Sequence, residues 1–222
     1  MTKSLLFSND RYLAVQTQVK EFLNKQEDFL SGSTAKSPRA VGDAIQEILA
    51  EHFPAIVGDD VCGKYSSEFA RRAMADLAFE DTAGLYYIVD VKTHRLSTKF
   101  NMPNLTSVER LARFYEDDKN HFVLLMIAYD VNGVRAVVEN VTFVPIEFLD
   151  WDCLTIGALG WGQIQIANSN RITVNPGHSR KKWMIELCDT LLEFYPKEIA
   201  KIGKRIAHFQ KIREQWETRA DS

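Results

Sequence analysis

The chain has 222 residues, of which 45% are hydrophobic and 26% are charged, with a formal net charge of −3. This size and composition suit a single globular domain over residues 1–222, and the slight acidity argues against a protein that coats nucleic acid nonspecifically. No apolar run reaches membrane-spanning length and the N-terminus soon turns polar, so we expect a cytoplasmic protein.

The first elements in the chain are two amphipathic helices. Residues 8–30 have helical apolar periodicity, which suits either a dimer interface or packing on the core of the same chain. A polar loop over residues 31–37 follows, and Pro38 favours the first turn of a helix that extends to about Phe53. That second helix has acidic residues four apart on one face, which indicates a solvated surface.

A possible nucleotide-binding motif follows at residues 58–65. The segment fits G-x-x-x-x-G-K, but Tyr65 stands where a phosphate-binding loop needs Ser or Thr to bind Mg²⁺. Asp59 and Asp60 would also place negative charge among the phosphates. We therefore favour a surface loop that leads into a helix over residues 66–73.

A β-hairpin that brings Asp76, Asp90 and Lys92 together is predicted next. Strands over residues 74–79 and 85–91 are joined by the turn at residues 80–84, and side chains two apart on a strand share a face. Asp90 and Lys92 should therefore point the same way, with Asp76 across from Asp90. Two convergent carboxylates predict a Mg²⁺ site that would polarise a phosphate and acidify a water. The Lys92 ammonium would orient that water or stabilise charge in the transition state.

The remaining elements complete a mixed fold. Strands over residues 121–129 and 134–144 form a hairpin around Asn132-Gly133, the strongest short hairpin signal. Two C-terminal helices within residues 179–219 are divided at Pro196, which cannot continue a helix. The element order indicates an α/β (α+β) fold with a mixed central β-sheet flanked by helices.

Three segments of the chain, in the same order, resemble a known enzyme family. From Asp90 the sequence reads D-V-K-T-H-R-L-S-T-K-F-N-M-P-N-L, residues 161–166 read W-G-Q-I-Q-I, and residues 175–183 read N-P-G-H-S-R-K-K-W. Together they resemble the PD-(D/E)xK type II restriction endonucleases, most closely the HincII/EcoRV-like branch that cuts to blunt ends. The resemblance covers roughly residues 42–216 and implies a restriction-endonuclease-like core.

The resemblance implies roles for the hairpin residues. Asp76 and Asp90 match the acids that bind Mg²⁺, and Lys92 matches the catalytic lysine. The interval between the two acids is one residue longer than in that branch, so Glu80 or Asp81 stays open as the first acid. Acids of the preceding helix that could join the metal site are Asp43 and Glu47.

The resemblance also implies DNA contacts after the catalytic strand. Asn101 stands where the family has a glutamine wedged between bases, and Phe100 or Met102 could serve as an apolar wedge instead. Asn104 matches an asparagine beside the scissile bond. A basic cluster that includes His94 and Lys99 directly follows the strand, which suits phosphate contacts.

A glycine-rich loop at residues 157–162 matches the segment that reads base edges in the family. Gly157 replaces an asparagine there, and Gln163 could pair with adenine in a bidentate manner, although it equally suits a solvent-facing strand position. The full set of expected DNA-binding residues is Thr93, His94, Lys99, Phe100, Asn101, Met102, Asn104, Gly157, Gln163 and Lys181.

The sequence thus predicts a Mg²⁺-dependent type II restriction endonuclease. A homodimer would read a palindrome in double-stranded DNA, and a cognate methyltransferase would act on the same site without necessarily binding this protein. One alternative is a structure-specific repair or junction nuclease of the same fold. Another is a DNA-binding domain without catalytic activity.

Overall fold

The chain folds into two compact units in the computed structural model, Met1–Gly177 and His178–Ser222. The structure describes residues 4–26, 30–65 and 75–220, so the helix predicted over residues 66–73 and the start of the strand predicted from residue 74 lie outside the described residues. Among the described residues, the first unit has mixed α and β structure and the second has one long helix.

The described strands and helices are numbered here in chain order. The strands are β1 (Lys64–Tyr65), β2 (Leu77–Glu80), β3 (Tyr86–Arg95), β4 (Asn104–Ser107), β5 (Asn120–Asn132), β6 (Arg135–Pro145), β7 (Leu154–Gly157) and β8 (Gln163–Ile166). The helices are α1 (Leu5–Ser8), α2 (Arg11–Lys25), α3 (Pro38–Val57), α4 (Val108–Phe114) and α5 (Arg180–Glu217), with short 3₁₀ turns at Thr34–Lys36, Ile146–Phe148 and Trp151–Cys153.

A mixed five-stranded sheet forms the centre of the first unit, in the order β1-β2-β3-β5-β6. The β3 and β5 strands are parallel and the other pairs are antiparallel. Residues on both faces of β3, such as Ile88 and Val89, are fully buried, as expected of a central strand covered on both sides. The prediction of a mixed central sheet flanked by helices is therefore confirmed, including the β5–β6 hairpin, where Gly133 takes a positive φ of 65°.

The apolar face of helix α2 is buried within the first unit. Val15, Val19 and Leu23 are buried, and side chains of α2 bind the backbone of β6, an edge strand. Asn24 both donates to and accepts from the Val138 backbone, at 3.0 and 2.8 Å. Of the two roles expected for this helix, the structure shows packing on the core and covering of a sheet edge, which otherwise attracts other strands.

The C-terminal segment is a single helix, so the predicted division at Pro196 is wrong. The α5 helix continues from Arg180 to Glu217 with Pro196 in its interior. A proline removes one backbone hydrogen bond, to the carbonyl four residues earlier. Because Pro196 is exposed and Leu192 is 72% exposed, water can solvate that carbonyl. None of the described helices combines the length and apolar character needed to cross a membrane.

The structure also excludes the nucleotide-binding arrangement at residues 58–65. A phosphate-binding loop connects a strand to the helix that follows it, whereas here the helix α3 comes first and ends at Val57. Lys64 lies in β1, where its side chain is 80% exposed and pairs with Glu80 at 3.4 Å. The loop is better described as a surface connection.

A second, three-stranded sheet has the order β4-β8-β7. It joins the segment after β3 to the glycine-rich loop, because β4 follows the loop at residues 96–103 and β7 and β8 flank residues 158–162. The two segments expected to contact DNA are thus connected through one small sheet.

Candidate active site

The candidate site, here called the fork, lies where β2 and β3 separate and comprises Asp76, Asp90, Val91 and Lys92. Leu77 at the start of β2 pairs with Val89, and the Asp76 amide adds one further bond to the Val89 carbonyl at 3.1 Å. Continuing this register by one residue places Asp76 opposite Asp90, as the sequence predicts. The side chain of Asp76 is thus fixed at the fork between the two strands.

Two side chains bind the backbone of Val91, two residues beyond the last pairing of β3 with the described part of β2, at Val89. Asp76 Oδ2 accepts a hydrogen bond from the Val91 amide at 2.7 Å, and Gln46 Nε2 of α3 donates to the Val91 carbonyl at 3.1 Å. Both backbone groups of Val91, which point away from β5, are therefore satisfied by side chains, as buried backbone groups require. The Gln46 contact was not predicted, because α3 and β3 are distant in sequence.

Asp90 and Lys92 extend from the same face of β3. Lys92 Nζ lies 2.6 Å from Asp90 Oδ1, which confirms the shared face expected from their spacing. Asp90 is only 4% exposed, and its Oδ2 has no hydrogen-bond partner within the described part of the chain. Such an orphaned buried oxygen is costly in a protein unless an ion, a water or a ligand completes it.

The charges at the fork influence one another. Burial raises the pKa of Asp90 to about 7, although the Lys92 ammonium opposes this rise and the Asp76 carboxylate reinforces it. Burial also raises the pKa of Asp76, while the Val91 amide and the Lys92 ammonium lower it. Ionising both carboxylates is therefore unfavourable unless a further cation is present.

These features fit a bound Mg²⁺. The fork offers hard carboxylate oxygens, one of them buried and unpartnered, and Mg²⁺ typically takes one or two carboxylates together with waters and substrate phosphate oxygens. No cluster of three or more His, Cys, Asp or Glu side chains suited to a metal occurs among the described residues. The protein would therefore supply Asp76 and Asp90 and leave the remaining ligand positions to water and substrate.

The other acids considered for the site lie elsewhere. Glu80 pairs with Tyr86 at the far end of the hairpin, and Asp81 holds the turn by accepting from the Ala83 and Leu85 amides at 2.9 and 2.8 Å. Four or five residues along a strand separate this end from Asp90, or roughly 13–17 Å. The α3 acids Asp43 and Glu47 are exposed, as expected of a solvated face.

Two residues expected to contact DNA, Thr93 and His94, directly follow Lys92 on β3. Thr93 faces the opposite side of β3, where a β-carbon on Gly42 of α3 would lie only 2.6 Å from its Oγ1. His94 is 2% exposed and its Nε2 lies 2.9 Å from Asn170 Oδ1. The structure thus holds His94 away from the surface and turns Thr93 away from Lys92, and the DNA contacts expected of both stay predictions.

The loop at residues 96–103 does present the expected surface residues. Lys99 is exposed, Phe100 is 59% exposed and Met102 is 40% exposed. Asn101 is half-buried, and its carbonyl accepts from the Ser169 amide at 2.9 Å. The anchored Asn101 between two exposed apolar side chains makes Phe100 and Met102 the more accessible wedge candidates.

The small sheet holds the remaining predicted contacts. Gly157 pairs with Gln163 across the β7–β8 hairpin, and the Gln165 side chain lies where a β-carbon on residue 157 would be, 2.7 Å from its Oε1. Gln165 also donates to Asn104 Oδ1. A side chain at position 157 would displace the amide of Gln165 from this position. Gln165 is a residue that sequence reasoning missed although it alternates with Gln163 on one strand.

The tip of this hairpin is exposed and apolar. Leu159 and Trp161 are 66% and 63% exposed, and they border an open cavity of about 360 Å³ that is also lined by Ser107, Arg110 and Gln163. Gly160 and Gly162 take positive φ values of 59° and 122°. Lys181, the last predicted contact, is an exposed residue of α5 in the second unit.

Comparison with known proteins does not extend these observations. The chain matches no model of a known protein family and no curated protein sequence. Its function must therefore be inferred from the residues at the fork and on the two exposed loops.

Proposed function

We propose that this chain is a Mg²⁺-dependent type II site-specific deoxyribonuclease with a restriction-endonuclease-like core, acting on double-stranded DNA. The observation that supports this best is the fork itself. Two carboxylates that raise each other's cost of ionisation meet there beside an ammonium, and one buried oxygen is left without a partner. A site that only bound a phosphodiester would not need two carboxylates, because they repel the phosphate. Carboxylates that hold a metal ion beside an ammonium do suit hydrolysis of a phosphodiester.

Each residue of the fork has a distinct role in the proposal. Asp76 and Asp90 would hold Mg²⁺, which when bound supplies Lewis-acid polarisation of the scissile phosphate. The Val91 amide orients Asp76, and burial keeps water away from Asp90. Lys92, whose side chain is 23% exposed, has access to the substrate side and offers positive charge to the transition state.

The exposed loops would bind the duplex. The exposed Lys99 would contact a phosphate, and the exposed Phe100 or Met102 would enter a base step and bend the DNA. The glycine-rich hairpin tip can approach base edges closely, with Gln163 at its base. A second copy related by two-fold symmetry would read the other half of a palindrome, and blunt ends would follow from the branch that the sequence resembles.

A nuclease that recognises DNA structure rather than sequence is the nearest alternative. Such a nuclease would use the same active-site residues, so the two proposals differ in the DNA substrate and not in the chemistry. Incubating the purified protein with Mg²⁺ and an unmethylated phage genome should give discrete fragments. Cleavage confined to flap or four-way-junction oligonucleotides would support the alternative instead.

Variants at the fork test catalysis directly. Asp90→Ala and Lys92→Ala should each lower the cleavage rate by about 10²-fold or more, while DNA binding in Ca²⁺ persists. Lys64→Ala is the matched control, because this exposed lysine pairs with Glu80 at the far end of the hairpin. If Asp90→Ala leaves cleavage unchanged, the fork is not the active site. Binding without any cleavage by the wild type would indicate a DNA-binding domain.

A further inference from the structure

The helix α5 has an apolar pattern to which the proposed function gives no role. From residue 185 to residue 216, positions alternately three and four apart are apolar in nine cases of ten. This spacing is a heptad repeat sustained for more than four heptads, which is typical of a coiled coil. We name these positions the heptad face: Ile185, Cys188, Leu192, Tyr195, Ile199, Ile202, Ile206, Phe209, Arg213 and Trp216.

The heptad face is open to solvent. Its eight large apolar side chains are between 37% and 72% exposed, with Tyr195 the least and Leu192 the most exposed. At about 200 Å² for each large side chain, they expose about 900 Å² of surface in one stripe. A standard protein interface buries about 800 Å² per partner, and continuous apolar patches of this size are rare on monomers. The area is therefore sufficient for a stable dimer.

We propose that the heptad face pairs with the heptad face of a second copy of this chain in an antiparallel two-stranded coiled coil. In the symmetric register, Ile199 of each chain faces Ile202 of the second copy at the two-fold axis. Moving outward, Leu192 faces Phe209 and Ile185 faces Trp216. Because the layers are reciprocal, one two-fold axis satisfies both chains, as an isologous interface requires.

Charges beside the stripe favour the antiparallel orientation. In that register the flanking residue Glu198 faces Arg205 of the second copy, and Arg205 faces Glu198 in return. In a parallel pair of the same heptads, Glu198 would face Gly203 and Arg205 would face Gln210, so neither charge would find an opposite. Glu198 already pairs with Lys201 of its own helix at 2.6 Å, and Arg205 would add to this network.

This proposal does not depend on nuclease activity. It identifies the dimer surface as α5, whereas the apolar face of α2 is buried within its own unit. The stripe from Ile185 to Trp216 is about 48 Å long, so it can join two copies independently of DNA. A dimer formed in this way would meet the requirement for two-fold symmetry in palindrome recognition.

Sedimentation equilibrium of the full chain without DNA or metal tests the interface. The wild type should be a dimer at micromolar concentration, and Ile199→Asp should weaken dimerisation by at least about tenfold, since a charge enters the central layer. Ala200→Asp, next to it but outside the heptad face, is the control and should remain dimeric. A monomeric wild type overturns the proposal, as does a dimer insensitive to Ile199→Asp. Circular dichroism should show equal helix content in all three proteins.

Two further variants test the orientation. Glu198→Arg and Arg205→Glu should each weaken the dimer, and the double exchange should restore it only if the two positions face each other across the interface. Under oxidised glutathione, Arg213→Cys should form a disulfide with Cys188 of the second copy, with two thiols oxidised and glutathione reduced. A disulfide between two Cys188 residues in the wild type, or no recovery in the double exchange, would overturn the antiparallel arrangement.

Discussion

The pH dependence of folding stability should show that burial makes ionisation of Asp90 unfavourable in the folded chain. Burial raises its pKa to about 7 in the folded chain, whereas the unfolded chain has the ordinary value of 3.8. Between pH 4 and pH 7 the folded protein therefore binds more protons at this site than the unfolded chain does. Its free energy of unfolding should fall as pH rises through that range and become level above pH 7.

The size of this effect follows from the difference between the two pKa values. Roughly three pKa units correspond to about 4 kcal/mol, which is a large fraction of the stability of a domain. Asp90→Asn removes the titrating group and keeps the shape of the side chain. The difference in unfolding free energy between Asp90→Asn and the wild type should therefore shift in favour of the variant by up to about 4 kcal/mol from pH 4 to pH 8.

Urea unfolding followed by tryptophan fluorescence at pH 4, 5.5, 7 and 8 measures this shift. The titrating groups away from the fork are common to both proteins and largely cancel in the comparison. At pH 8, Mg²⁺ at ten times its dissociation constant should add about 1.4 kcal/mol to the wild type and little to Asp90→Asn. Parallel stability profiles for the two proteins from pH 4 to pH 8 would refute the reasoning, because they would mean that Asp90 is not held in an unfavourable charge state.

Three further substitutions have defined expected outcomes. Phe100→Ala should reduce DNA bending, measured by fluorescence transfer across a labelled duplex, more than Leu96→Ala does, if the exposed Phe100 enters a base step. Asn24→Ala should lower the unfolding free energy by about 1–3 kcal/mol in urea, because two backbone groups of β6 lose their partner. Gly42→Ala should cost about 1–3 kcal/mol by thermal or urea unfolding, and Thr93→Ala should recover part of it, since the added methyl group meets the Thr93 hydroxyl. An Asn24→Ala protein as stable as the wild type, or a Gly42→Ala protein that Thr93→Ala does not improve, would contradict these contacts.

Local patterns in the sequence predicted the fork well. The spacing of Asp90 and Lys92 fixed their shared face, and the turn material between the two strands brought Asp76 opposite Asp90. The same holds for the β5–β6 hairpin at Asn132-Gly133. In each case the information lies within about twenty residues and depends on backbone geometry that all sequences share.

Contacts between distant segments could not be predicted from the sequence. Gln46 supports Val91 across 45 positions, and Asn170 fixes His94 across 76. Nothing in the local pattern of either partner distinguishes it from a solvated polar residue. The prediction that Pro196 divides the C-terminal helix was wrong for a different reason. The free-energy cost of a proline inside a helix depends on whether the carbonyl left without a hydrogen bond is solvated, and solvent exposure is a property of the folded chain.

Burial at the fork connects stability to the proposed chemistry. A carboxylate that is 4% exposed and only partly paired opposes folding at neutral pH, and an amide would be the more stabilising choice. The same burial means that a cation bound there gains more from Asp90 than it would from an exposed acid, because less water competes for the charge. Lys92 cannot fill this role alone, since it contacts only one oxygen of Asp90 and leaves the other unpartnered. Under the proposed function Mg²⁺ would complete this second oxygen, and the recovery of stability on adding Mg²⁺ should be lost when either Asp76 or Asp90 is replaced.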